Sequence, residues 1–152
     1  RLDGKLAQAI VSMQAVKGVE IGYSLEGSQN FGSKVQDTIH YSKEQREFFR
    51  GANRAGGLEG GITNGQDIIV RGHLKPISTL RKPLMSVHLP TRDPQEANYE
   101  RSDVAVIPAA GVIGEAMVAL VLAASMIEKF GGDSLREAKR NFDHYQQQVR
   151  DF

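Results

Sequence analysis

Lys75, Ser78 and Thr79 fall within five residues of one another in KPISTL, directly after the β-branched run DIIVRGHL. A lysine brings a full positive charge, and hydroxyls bring donors that rotate to suit an acceptor. Pro76 stiffens the backbone behind the lysine. Such a turn can present several donors to one phosphate group, with charge-assisted bonds to its oxygens. Upstream, GGLEGGITNG crowds five glycines, Gly56, Gly57, Gly60, Gly61 and Gly65, into ten residues. Dense glycines let a backbone adopt φ > 0 and approach a ligand closely. The spacing is neither that of a P-loop nor G-x-G-x-x-G. The plain alternative for the cluster is a tight turn between strands.

Arg101, Ser102 and Asp103 precede an apolar run, VAVIPAAGVIG. In a solvated loop the arginine and aspartate would pair weakly, worth ~0–1 kcal/mol. At the edge of a core such charges matter more, and an aspartate there can accept a proton or orient a neighbour. Glu115 lies in an apolar helix pattern. We place it in an exposed first turn, where the helix dipole favours a carboxylate. His40, His73, His88 and His144 are scattered without metal-ligand spacing, and read as surface or strand histidines.

The elements that position these groups follow from periodicity and punctuation. Leu2–Ala15 reads as a helix capped by Asp3, with Leu6, Ala9, Ile10 and Met13 on one stripe. Val16–Gly22 reads as a strand. Tyr23–His40 is polar and aperiodic, which predicts a long excursion or mobile loop. Lys43–Arg50 reads as a short helix. Ile68–Leu74 is a strand ended by Pro76, and Leu84–Leu89 is another. Pro90–Glu100 reads as a loop. Gly111–Phe130 is a helix with Gly131 as its C-cap. A last helix starts at Ser134 with Glu137 completing a capping box. Its buried stripe is Leu135, Ala138, Phe142, Tyr145 and Val149. The pattern is α+β and lacks strict βαβ alternation.

The 152 residues suit one domain, and the net charge of +1 gives no reason to expect nucleic acid or an anionic membrane as partner. The absence of cysteine excludes disulfides and thiolate metal sites, and fits a reducing compartment. The apolar run Val112–Ile127 falls short of the ~20 residues a membrane span needs, and reads as a buried helix. No signal peptide is visible, and a chain starting at Arg1 reads as a fragment or a trimmed product.

Four ordered segments, SMQAVKGVEIG, AGGLEGGITNGQDI, KPISTL and ERSDVAVIPAAG, resemble chorismate synthase at the expected separations. The similarity runs from RLDGKLAQAI to SLREAKRNFDHYQQQV and corresponds to the C-terminal part of that enzyme. It implies a single-domain fragment, residues 1–152, forming part of a β-α-β sandwich. The missing N-terminal portion would hold the family's two catalytic histidines and its substrate-gripping basic residues. The resemblance implies a 1,4-anti elimination of phosphate from 5-enolpyruvylshikimate 3-phosphate, giving chorismate for aromatic amino acid biosynthesis. It also implies reduced FMN as cofactor, a cytoplasmic homotetramer, and inactivity of this segment alone. Whether NADP-linked reduction of the flavin belongs to the same enzyme stays open.

Carried over residue by residue, the family's flavin contacts fall on Gln14, Ala15, Gly60, Lys75, Pro76, Ile77, Ser78, Thr79 and Arg101. Asp103 matches the aspartate that assists proton handling. Gln14 stands where asparagine is common, and both offer an amide. Ala105 replaces a usual cysteine, which marks that position as packing. Two rivals come from other classes: a standalone flavin- or phosphate-binding module, and an oligomerisation fragment using the helices after Pro108. Flavin titration separates them.

Overall fold

Leu6 and Ile10 are one helical turn apart, so both point to the same side of the first helix. The computed structural model describes residues 1–102 and 105–151. In chain order the elements are α1 (Leu2–Val11), β1 (Val16–Ile21), α2 (Ser24–Gly27), α3 (Gly32–Val35), β2 (Ile39–Ser42) and β3 (Glu47–Arg50). Then follow β4 (Leu58–Glu59), β5 (Ile62–Thr63), β6 (Val70–Leu74), β7 (Met85–Val87), β8 (Pro94–Glu96), α4 (Ile107–Phe130) and α5 (Leu135–Arg150). The fold is α+β, as the pattern of elements predicts. β1 and β6 pair antiparallel from Val16↔Leu74 to Ile21↔Val70, with an irregularity between Val16 and Gly18. The other strands form the local hairpins β2–β3, β4–β5 and β7–β8.

α1 packs on the β1–β6 ribbon and on α4. Leu6, Ile10, Val16 and Leu58 are the buried apolar side chains among the described residues. Most other large apolar groups stay exposed, including Phe48, Leu89, Ile107, Val112, Leu120 and Leu135. Four buried side chains are a small core for a chain of this length, so this segment does not bury its apolar surface by itself.

Several expectations are corrected. α1 stops at Val11, and Asp3 does not cap it: its carboxylate pairs with Arg1 and accepts from the Gly4 amide. Lys43–Arg50 is not helical. Cross-strand contacts of Tyr41 with Phe48 and His40 with Phe49 draw it into the β2–β3 hairpin, with Arg46 in the turn at φ +52°. Aromatic pairs of this kind are the unit of sheet stabilisation, and here they outweigh the helix propensity of Lys43–Arg46. Tyr23–His40 is not an excursion without structure. It carries α2 and α3, and the Asp37 carboxylate, 1% exposed, accepts from the Arg54 and Ala55 amides at 3.1 and 2.9 Å. Pro90–Glu100 contains β8, with Arg92 turning the chain at φ +63°.

α4 begins four residues before the expected start, with Pro108 in its first turn where its missing N–H costs nothing. Its 24 residues make it long and apolar enough, by length and composition, to cross a membrane. None of its residues is buried within this chain. Both findings overturn the expectation of a short, buried run. The helix packs on α1, with a Lys5–Glu128 ion pair between the two helices, and leaves most of its apolar surface uncovered. Gly131 ends α4, but not in the left-handed region. Ser134 accepts from the Glu137 amide as expected, while Glu137 accepts from Asp133 N–H instead of Ser134 N–H. The α5 stripe is not buried: Leu135 and Val149 are exposed, and contact comes from Phe130 against Phe142 and Tyr145.

The glycine cluster has positive φ at all five positions. Gly56 does so in close contact, since a Cβ there would lie 2.5 Å from the Gly22 backbone. Gly56→Ala in the full-length protein is expected to cost about 2–4 kcal/mol, from left-handed strain plus backbone overlap. Urea unfolding checks this. A loss below about 1 kcal/mol would show that the contact yields freely.

Candidate functional site

The turn from α1 into β1 ends on Ala15, whose φ of +67° is left-handed although the residue is not glycine. Holding a side chain there costs of order 1–3 kcal/mol and persists only where neighbours fix it. The neighbour is Lys75. Its amide donates to the Ala15 carbonyl at 2.8 Å, one step beyond the Val16↔Leu74 pair. Two separate segments, Gln14–Ala15 and Lys75–Thr79, thus meet at one end of the ribbon, beside its irregularity. Pro76 explains why pairing stops there, because it has no N–H to continue the ladder.

At this end Gln14, Lys75, Pro76, Ile77 and Ser78 are exposed and Thr79 is half-buried. The amide, ammonium and hydroxyl groups therefore remain available to an anion. Arg81 and Lys82 follow directly, so residues 75–82 carry three cations and no acid. Sequence reading passed over those two, although their proximity to KPISTL was the signal. An apolar groove of about 550 Å³ runs between α1, β6 and α4. Met13, Val16 and Leu74 line it and are chain neighbours of Gln14, Ala15 and Lys75. Glu115 also lines this groove. It is exposed, as expected, but lies in the third turn of α4 because the helix starts at Ile107.

Gly60 occupies a different place. It forms the β4–β5 turn with Gly61 at φ +61° and +86°. A Cβ on Gly60 would meet nothing within 4 Å, so this apex is open to a ligand. Gly61 accepts from the Leu2 amide at 2.8 Å, which puts the turn at the N-terminal end of α1. Ala15 lies beyond the other end, roughly 15 Å along the helix. The chain does not bring Gly60 to Lys75. Arg101 is exposed. Asp103 lies outside the described residues. The histidines behave as expected: His40 stacks on Phe49, His73 faces Glu20 at 3.6 Å, and His88 contacts Thr91.

Next to Gly60, the Glu59 carboxylate accepts from Asn64 at 2.9 Å and from Arg50 at 3.0 and 2.5 Å. Asn64 first, and then Arg50, hold the Glu59 carboxyl below the ordinary glutamate range. No feature of the motif reading pointed to this cluster, because its members come from β3, β4 and the segment after β5.

These features define an α+β segment with a phosphate-suited end and an open glycine turn. The chain belongs to the chorismate synthase family, whose model matches residues 1–127. It is 72% identical over 152 residues to chorismate synthase of Solibacter usitatus, covering 100% of this chain and 39% of that protein. The corresponding enzyme of Aquifex aeolicus is 50% identical over 152 residues, with 100% and 38% covered. A solved structure described as chorismate synthase superposes with a TM-score of 0.79 at 43% identity, covering 100% of this chain and 38% of that one. The chain spans about two-fifths of the length of the curated relatives it matches.

The Glu59 cluster makes a pH dependence. A carboxyl lowered in the folded state adds stability above its unfolded pKa, and that stability is lost as pH falls through the folded value. The full-length protein is therefore expected to lose thermal stability below about pH 4.5, with Glu59→Gln flatter through that window. Parallel melting curves of the two proteins would count against Glu59 as the titrating group.

Proposed function

We propose that the complete protein containing this chain is a chorismate synthase. It would convert 5-enolpyruvylshikimate 3-phosphate to chorismate by 1,4-anti elimination of phosphate, using reduced FMN. The observation that carries this reading is the junction at the Ala15–Lys75 hydrogen bond. It unites two segments that resemble the family's flavin contacts, and leaves the Lys75 cation and Ser78 exposed beside them, with Thr79 half-buried.

The residues present fit a flavin phosphate. Lys75 supplies charge, Ser78 and Thr79 supply O–H donors, and Gln14 supplies an amide at the same end. Gly60 leaves room for a second contact elsewhere along the cofactor. Arg101 adds a further cation. When bound, reduced flavin would lend electron density as phosphate leaves, with no net redox change. The protein's part is to orient both molecules, exclude water and manage the departing proton. Asp103 is assigned the proton-handling role on the resemblance. The family's catalytic histidines belong to the missing portion, so this segment alone is proposed to be inactive. A cytoplasmic homotetramer, with or without NADP-linked flavin reduction, completes the reading.

Two substitutions in the full-length enzyme test it. Lys75→Ala removes a charge-assisted contact worth ~1.5–3 kcal/mol. FMN binding should weaken roughly ten- to a hundredfold at ~1.4 kcal/mol per decade. Unchanged affinity by fluorescence titration would remove Lys75 from the site. Asp103→Asn keeps shape and loses basicity. General acid–base roles contribute ~10²–10⁴-fold, so turnover with pre-reduced FMN should fall at least about tenfold. FMN affinity should stay within a few-fold. Near-normal chorismate formation in Asp103→Asn would leave that carboxylate a structural partner.

A further inference from the structure

Glu59 and Asn64 bracket the Gly60–Gly61 turn, one on β4 and the other directly after β5. Three donors converge on a single Glu59 oxygen: Arg50 Nε at 3.0 Å, an Arg50 terminal nitrogen at 2.5 Å, and Asn64 Nδ2 at 2.9 Å. Asn64 is itself fixed, since its amide donates to the Gly57 carbonyl at 3.0 Å and its side-chain oxygen accepts from Gln66 N–H at 3.0 Å. The strands they flank have only two ladder positions, Leu58↔Thr63 and Glu59↔Ile62. A hairpin this short has little stability of its own. Its turn has both residues at positive φ, an arrangement that needs support if the open apex at Gly60 is to keep one shape.

We propose that Arg50, Glu59 and Asn64 form a positioning lock that holds the Gly60 turn in the shape that receives the cofactor. This rests on the reading that Gly60 faces the flavin. The lock acts through the turn and touches no reacting atom. Arg50 is suited to it because its rigid planar guanidinium delivers two donors, Nε and a terminal nitrogen, to the same Glu59 oxygen. It also ties the β2–β3 hairpin to the glycine turn, since Arg50 is the last residue of β3 and pairs with Ile39. Asp37, an acid that acts on Glu59 through space, is occupied with the Arg54 and Ala55 amides.

The test uses the full-length enzyme, FMN titration by fluorescence, and kcat and KM at saturating FMN. Glu59→Gln and Arg50→Lys should each weaken FMN binding roughly tenfold, by the same free-energy scale as for Lys75. The KM for 5-enolpyruvylshikimate 3-phosphate should not change, and kcat should recover when FMN is raised. A merely structural role would lower the melting temperature without moving FMN affinity in the folded fraction. Arg50→Lys keeps the charge and guards against loss of folding. Gly60→Val separates the two levels of the argument. If Gly60→Val binds FMN normally, Gly60 does not face the flavin and the underlying reading fails. If Gly60→Val is impaired while Glu59→Gln and Arg50→Lys bind FMN normally, the lock alone is overturned.

Discussion

The antiparallel pairing of β1 with β6 carries the rest of this segment. At one end the ribbon is closed by Lys75 N–H on the Ala15 carbonyl, and at the other by Gly22 N–H on the Ile69 carbonyl. The first closure brings Gln14 and Ala15 to KPISTL across about sixty residues of intervening chain. The second seats Gly22 against Gly56, where neither position admits a side chain. Arg71 adds a third tie by donating to the Gly22 carbonyl at 2.5 Å. Without this ribbon the glycine loop, the lysine turn and α1 would have no common frame. Each of the other strand pairs is a local hairpin and cannot provide one.

What the ribbon does not supply is a complete interior. α1 covers its one face, and α4 leans on α1 with most of its apolar surface uncovered. The groove between them is apolar apart from Glu115. In water such a surface is unfavourable by roughly 25 cal/mol per Å² relative to burial. Relatives more than twice as long as this chain offer the obvious source of cover. A helix that satisfies membrane criteria by length can therefore be a core helix seen without its surroundings.

Much of this was legible in the residues. The five glycines announced positive φ, and all five have it, because no other residue type adopts that conformation so cheaply. Pro76 marked the end of β6, and Ser134 marked the start of α5. The motifs that resemble chorismate synthase pointed to the family that the comparisons establish. The failures have a common cause. Lys43–Arg50 looked helical locally, but Phe48 and Phe49 found Tyr41 and His40 across a turn. Asp37 looked like part of a loop, and is buried because two amides from residues 54 and 55 close on it. Arg50 and Glu59 are nine residues apart with no periodic relation. Contacts between elements of this kind leave no local signature. Asp103 itself falls outside the described residues, so the reading of that aspartate rests on the motif.

Ala15 has a consequence for how this gene can drift. Its left-handed backbone is imposed from outside, by a carbonyl already engaged with Lys75. Of the residues one nucleotide away from an alanine codon, glycine and aspartate enter that conformation readily. Valine and threonine resist it through their branched Cβ, and proline is locked to negative φ. Changes to valine, threonine or proline at this codon would therefore disturb the turn before any ligand is met. Backbone geometry then acts as a filter on the coding sequence, narrowing the accepted spellings of a position whose side chain is only a methyl group.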